Sequence, residues 1–239
     1  MKPEKLEDPE LCRRVKRLDK VVGQLEKRFS SALYDIGSLK GTVDNPNVGK
    51  KLGHSYSGHF LDTSIRALSA KVALFVTKSF DKNSHSVTSF LREVDGMAPY
   101  IEHVRKSKHP DWSDEWLEVG GVAKTIRELS ERVDLLQSSE QFLALKINRD
   151  EMLAHSLEGE SGQRRKLNKI DIDPSPITYR QLLDMSVETA EIISEAIRIW
   201  TFSVIDPKDW IENAEEYAVM FWHSIPSLTE VEEMPDKKE

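Results

Sequence analysis

A single cysteine, Cys12, stands in a chain of 239 residues, which excludes an intramolecular disulfide framework. Long apolar runs are also missing. Stretches such as Val72-Ala73-Leu74-Phe75-Val76 are far too short to span a bilayer. The N-terminal residues Met1-Lys2-Pro3-Glu4-Lys5 lack the apolar core of a signal peptide. These three absences together predict a cytoplasmic protein with no membrane partner. An excess of positive charge is absent too: 34 Lys and Arg against 41 Asp and Glu leave a net charge of −7. That argues against non-specific coating of nucleic acid, which needs a basic face, but not against an enzyme touching a few phosphates. No segment combines strict apolar alternation with hairpin turn signals, so no β-strand is predicted.

What is present is helical periodicity. Leu11, Val15, Leu18, Val22, Leu25, Phe29, Ala32 and Ile36 alternate steps of four and three, one apolar stripe along a helix. Gly41, Asn45-Pro46-Asn47, Gly49 and Gly53 interrupt it, so Gly37 to Gly58 reads as a loop. A second helix carries Leu61, Ile65, Leu68, Val72, Phe75 and Phe80 inward. After the turn Asp81-Lys82-Asn83-Ser84, either Ser84 or Ser86 is placed to cap a third helix bearing Val87, Phe90, Leu91 and Val94. Gly96 and Pro99 end that pattern.

A long helix is predicted from about Ser113 towards Ser156, with Val122, Ile126, Leu129, Val133, Leu136, Leu143 and Ile147 on its core face. Gln137-Ser138-Ser139 is its weak point. The polar stretch Glu158 to Pro176 reads as a loop. Tyr179, Leu183, Ala190, Ile193, Ile197 and Trp200 mark another helix, and Pro207 starts a shorter one with Trp210, Ala214, Tyr217 and Phe221. The expected fold is all-α, an antiparallel up-and-down bundle of about five to six helices. Its expected divisions are an N-terminal tail over 1–10, the bundle over 11–205, a C-terminal helix over 206–229 packing on the bundle or a dimer seam, and a charged tail over 230–239.

The residues that carry candidate chemistry lie late in the long helix, in Asn148-Arg149-Asp150-Glu151-Met152-Leu153-Ala154-His155-Ser156. Arginine keeps its charge and offers a planar fork to phosphate oxygens. Histidine titrates near neutral pH and can accept and donate protons. In RNA cleavage the ribose 2′-hydroxyl can serve as nucleophile, so positioning, charge stabilisation and proton transfer suffice without a metal. The spacing is awkward, because positions six apart on a helix do not share a face and stand roughly 9 Å apart along its axis. The alternative is that Arg149 is surface charge and His155 a favourable cation at a helix C-terminus.

The run Arg-Asp-Glu-Met-Leu-Ala-His resembles the signature of the HEPN superfamily: an arginine, four to six residues, then a histidine. The Leu-Ala-His-Ser ending, the long helix before it and the loop after it resemble the abortive-infection U branch of that superfamily. Ser64 to Leu91 is also similar to that branch, where a helix ends in an aspartate, here after Phe80 at Asp81, and a serine-capped helix follows. The resemblance covers residues 11 to 205. It implies a HEPN-like helical bundle, a homodimer with the motif near its seam, and metal-independent ribonuclease activity in many members. It also implies roles in phage defence or toxin–antitoxin systems. By position, Arg149 would bind the scissile phosphate and His155 would be the general acid or base. Asp150 stands where the family often has asparagine, putting a negative charge beside the phosphate and leaving a non-catalytic binding module as the alternative. Asn148 and Glu151 are further candidates, Glu151 lying one turn before His155.

Other clusters of chemistry-bearing residues compete with ordinary surface or core readings. Arg164, Arg165 and Lys166 follow His155 and can contact an RNA backbone. Arg13-Arg14, Lys16-Arg17 and Lys20 alternate with the first apolar stripe and read as a solvated helix face. His54 and His59, like His103 and His109, lack well-spaced carboxylates, so neither a metal nor another cofactor is predicted. The Gly-Lys-Lys ending at Lys51 lacks the spacing of a phosphate loop. Trp200, Phe202, Trp210, Tyr217, Phe221 and Trp222 read as core or subunit interface rather than a base-stacking platform. The expected partners are RNA, a second copy of the chain, and an antitoxin or defence-system protein.

Overall fold

A computed structural model of the chain describes residues 8–53, 55–82, 85–111, 121–155 and 177–226, with 150–155 described in backbone only. Among these residues the chain is all-helical, with nine helices: α1 (Pro9–Val43), α2 (Pro46–Leu52), α3 (Tyr56–Lys78), α4 (Val87–Val94), α5 (Ala98–Lys108), α6 (Gly121–Ser138), α7 (Glu140–His155), α8 (Tyr179–Thr201) and α9 (Pro207–Ser224). The expectation of five to six helices is therefore corrected. Two short helices sit where punctuating residues indicated connections, and one long helix is two.

The reading of Gly37 to Gly58 as a loop fails for a definite reason. Gly37 and Gly41 do not break α1; they let α9 approach it. A Cβ at Gly37 would overlap the Ile211 carbonyl oxygen, and one at Gly41 would come within 2.5 Å of the Glu215 carbonyl oxygen. Ala214 and Ala218 face the two glycines, so backbones meet with little side chain between them. The pairing is parallel: Tyr34 stacks edge-on against Trp210, Lys40 pairs with Glu215 at 2.7 Å, and Thr42 accepts from Trp222 Nε1 at 2.9 Å. Pro46 then opens α2 in its first turn, where the missing N–H costs nothing. Pro99 sits likewise in the first turn of α5, a helix the sequence pattern missed.

Caps set the other starts. Asp8 accepts from Glu10 N at 2.8 Å before α1, and Ser86 accepts from Ser89 N at 3.2 Å before α4. Thr178 and Gln181 form a reciprocal capping box on α8. The predicted long helix divides at Ser139, whose Oγ accepts from Phe142 N at 3.2 Å. The break rotates the register, so Phe142 and Leu145 enter the core while Leu143 and Ile147 are only partly buried. The predicted start of this helix, 113–120, lies outside the described residues, as do the capping candidate Ser84, His54 and the charged tail.

The main core runs along α1. Leu18, Leu25, Phe29 and Ile36 pack with Val76, Phe90, Ile193 and Ile197, all buried. Each such side chain contributes about 1.5–3 kcal/mol on burial. Trp200 closes one end, donating to Asp19 Oδ1 at 2.8 Å. Val48, Leu52, Leu61 and Trp222 form a second cluster at the other end. Arg132 ties α6 to α8 through Glu188 at 2.8 Å and Glu191 at 3.0 Å. Burial works to lower its pKa, but Glu188 and then Glu191 outweigh that and raise it. Of the C-terminal aromatics read as core or subunit interface, Trp200, Phe202 and Trp222 are buried in the core, and Trp210, Tyr217 and Phe221 are exposed on the single chain. α9 meets the glycines of α1 through Ala214 and Ala218, and the three exposed rings lie off that contact face. No helix among the described residues is long and apolar enough to cross a membrane.

Candidate functional site

The site is built where the C-terminal half of α7 crosses the end of α3. Phe142 and Leu145 face inward, and position 149 follows Leu145 by four residues on the same side of the helix. Phe142 meets Phe80 edge-to-face, with ring centroids 5.6 Å apart. Asp81 follows Phe80 directly, and Arg149 follows Phe142 by two turns. The ring contact thus brings the arginine to the aspartate, with Arg149 Nη1 3.7 Å from Asp81 Oδ1. The Arg149 side chain is 14% exposed and that of Asp81 39%, so the pair opens to solvent on the aspartate's side.

The loop that presents Asp81 is itself fixed. Ser86 is fully buried, and its hydroxyl donates to the Asp81 carbonyl oxygen at 2.6 Å while capping α4. Thr88 Oγ1 donates to the Phe80 carbonyl at 3.1 Å. The two stretches that carried the family resemblance therefore meet in space. Sequence reasoning placed Asp81 at a helix end but gave it no role. The signal that it faces the arginine was the Phe142, Leu145, Arg149 spacing, which the wrong register hid.

Of the other candidates, Asn148 is half-buried on α7. Asp150, Glu151 and His155 are placed on the same helix, and their side chains lie outside the described residues. The helix is continuous from 149 to 155, so positions 149 and 155 stand about 120° apart around its axis and about 9 Å apart along it. Arg164, Arg165 and Lys166 lie outside the described residues. Among the described residues no three His, Cys, Asp or Glu side chains cluster as metal ligands would. Elsewhere, an apolar groove of about 480 Å³ runs between α1, α3 and α9, bordered by Tyr34, Phe60, Leu68, Tyr217 and Phe221.

A helical bundle with an arginine held beside a helix-end aspartate, followed on the same helix by a histidine, is the arrangement expected of the HEPN class. The family model HEPN_AbiU2, described as AbiU2, matches residues 8–221, from the cap of α1 into the last turn of α9. The chain belongs to this abortive-infection family of HEPN proteins. No curated protein and no solved structure matches it.

Proposed function

We propose that the chain is an abortive-infection protein that cleaves RNA without a metal ion. Arg149 holds the scissile phosphate. His155 takes the proton from the ribose 2′-hydroxyl as its oxygen bonds to phosphorus, and the bond from phosphorus to the 5′-oxygen breaks, the leaving oxygen taking a proton from solvent water. Asp150 orients the pair, and Asn148, Glu151, Arg164, Arg165 and Lys166 contact the substrate. The observation that carries this reading is the placement of Arg149, mostly buried and steered by Asp81. A long side chain fixed before substrate arrives loses less entropy on binding phosphate. The reading includes a homodimer, for which sedimentation is expected to give twice the chain mass, and an antitoxin or defence-system partner that restrains the activity.

The test is cleavage of total RNA by the purified full chain in excess EDTA, beside His155→Ala and Arg149→Ala. Cleavage that both variants abolish is the expected result; equal cleavage by all three retires the assignment. One observation favours a second reading, a non-catalytic dimeric binding module of a defence system: Asp81 already offsets the charge of Arg149. Folded wild type that binds RNA or a partner but leaves RNA intact would establish it.

A further inference from the structure

A cleft of about 400 Å³ opens between the N-terminal half of α1 and the α3–α4 connection. Arg17, Lys20, Lys82, His85 and Arg92 line it, and the one carboxylate among its described residues, Glu93, is taken up by Arg17 at 3.0 Å and Arg92 at 3.8 Å. Lys20 and Lys82 make no ion pair among the described residues. The cleft thus holds an excess of three fixed positive charges in a chain whose net charge is −7.

The cleft belongs to a longer feature. At about 100° per residue, Arg13, Lys16, Arg17, Lys20, Lys27 and Arg28 fall within about 60° of one line along α1. All six are exposed; of the acids on α1, Glu10 before them and Asp35 after them share their arc, and Asp35 is paired with Lys71 at 3.2 Å. They span about 22 Å at about 1.5 Å per residue. Asp19 and Glu26 lie on the other side of the helix, Asp19 bound to Trp200. A lone phosphate needs one cationic point, whereas a line of cations suits a linear polyanion, which releases counterions along its length. Its cleft end adjoins the candidate site, because Lys82 follows Asp81, the partner of Arg149.

We infer that this track binds the phosphodiester backbone of single-stranded RNA and leads the strand to the Arg149–Asp81 pair; the inference rests on the ribonuclease reading of that site. The test is anisotropy of a fluorescein-labelled single-stranded RNA with the full chain, in EDTA across a potassium chloride series. All proteins carry His155→Ala so that the probe stays intact. K20Q/K82Q/R92Q is compared with K50Q/K106Q/K108Q, which removes the same charge from exposed sites on α2 and α5. The track variant is expected to bind about tenfold more weakly at moderate salt. Its slope of log affinity against log salt should fall by about two, at about 0.7 per lost single-strand contact. The other variant should match the parent, and K20E alone should weaken binding in a chain with unchanged melting temperature. Unchanged affinity and slope in the track variant, equal losses in both triple variants, or no RNA binding by the parent would each overturn the inference, the last leaving the track to an acidic protein partner. Binding and cleavage are read separately. A chain that binds RNA through the track yet never cuts it, with His155 intact, retires the ribonuclease reading alone. Cleavage by a chain whose binding ignores the track retires this inference alone.

Discussion

Arg149 on α7 and Asp81 at the end of α3 stand 3.7 Å apart, delivered to each other by the Phe142–Phe80 ring contact one step deeper in the core. The pair ties the candidate catalytic helix to the loop that caps α4. Its aspartate also competes with any phosphate for the guanidinium. Replacing Asp81 with Asn keeps the shape and removes the competing charge. Exposed and half-exposed ion pairs are worth about 0.2–1 kcal/mol, so Asp81→Asn is expected to tighten RNA binding by up to about fivefold. Titration of a labelled RNA at low salt measures this. Weaker binding would show that Asp81 organises the arginine more than it blocks it.

Arg149→Lys keeps the charge and loses the fork. If the arginine grips a phosphate through two parallel N–H donors, lysine is a poor substitute, and cleavage should fall about a hundredfold while the fold is retained. His155→Ala should cost about 10²–10⁴-fold, the usual share of a general acid or base. Single-turnover cleavage of a labelled RNA separates the two effects. Full activity of Arg149→Lys would mean that charge alone, not bidentate contact, serves the site.

Trp200 closes the α8 end of the core and donates its indole N–H to Asp19 at 2.8 Å. Phenylalanine fills most of the same space but leaves the half-buried carboxylate short of a donor. Hydrogen bonds to charged groups contribute about 1.5–3 kcal/mol, so Trp200→Phe should destabilise the chain by about that amount. Urea unfolding followed by circular dichroism gives the number. A loss below about 0.5 kcal/mol would mean that water replaces the indole at Asp19.

The fold was legible in the sequence where one residue type has one use. The α1 stripe from Leu11 to Ile36 has no competing reading, and it is the spine of the core. A serine cap before Val87 and Phe90 was legible, with Ser84 and Ser86 both open, and Ser86 is the one that caps α4. Glycine has two uses, turn and close packing, and nothing local in Gly37 to Gly41 separates them. The deciding atoms belong to α9, far along the chain. The same dependence on distant partners left core and subunit interface both open for Tyr217 and Phe221, since it is Ala214 and Ala218 that face α1. In the candidate site, Arg149 and His155 were visible as chemistry-bearing types. The Asp81 partnership was not, because it follows from a register set at Ser139.

The glycines of α1 give an internal contrast. At Gly23 an added Cβ meets nothing within 4 Å, so alanine fits there without strain. It restricts the unfolded chain and favours helix, and Gly23→Ala should stabilise the protein by about 0.5–1 kcal/mol. At Gly37 and Gly41 the same methyl group meets the α9 backbone, which cannot rotate away as a side chain can. Inserting atoms into a close-packed contact costs about 1–3 kcal/mol or more. Gly37→Ala and Gly41→Ala should therefore each destabilise by about that much despite the better helix propensity. Equilibrium urea unfolding of the three single variants decides it. Opposite signs are expected for position 23 and positions 37 and 41. Stabilisation at all three would show that α9 does not rest directly on α1.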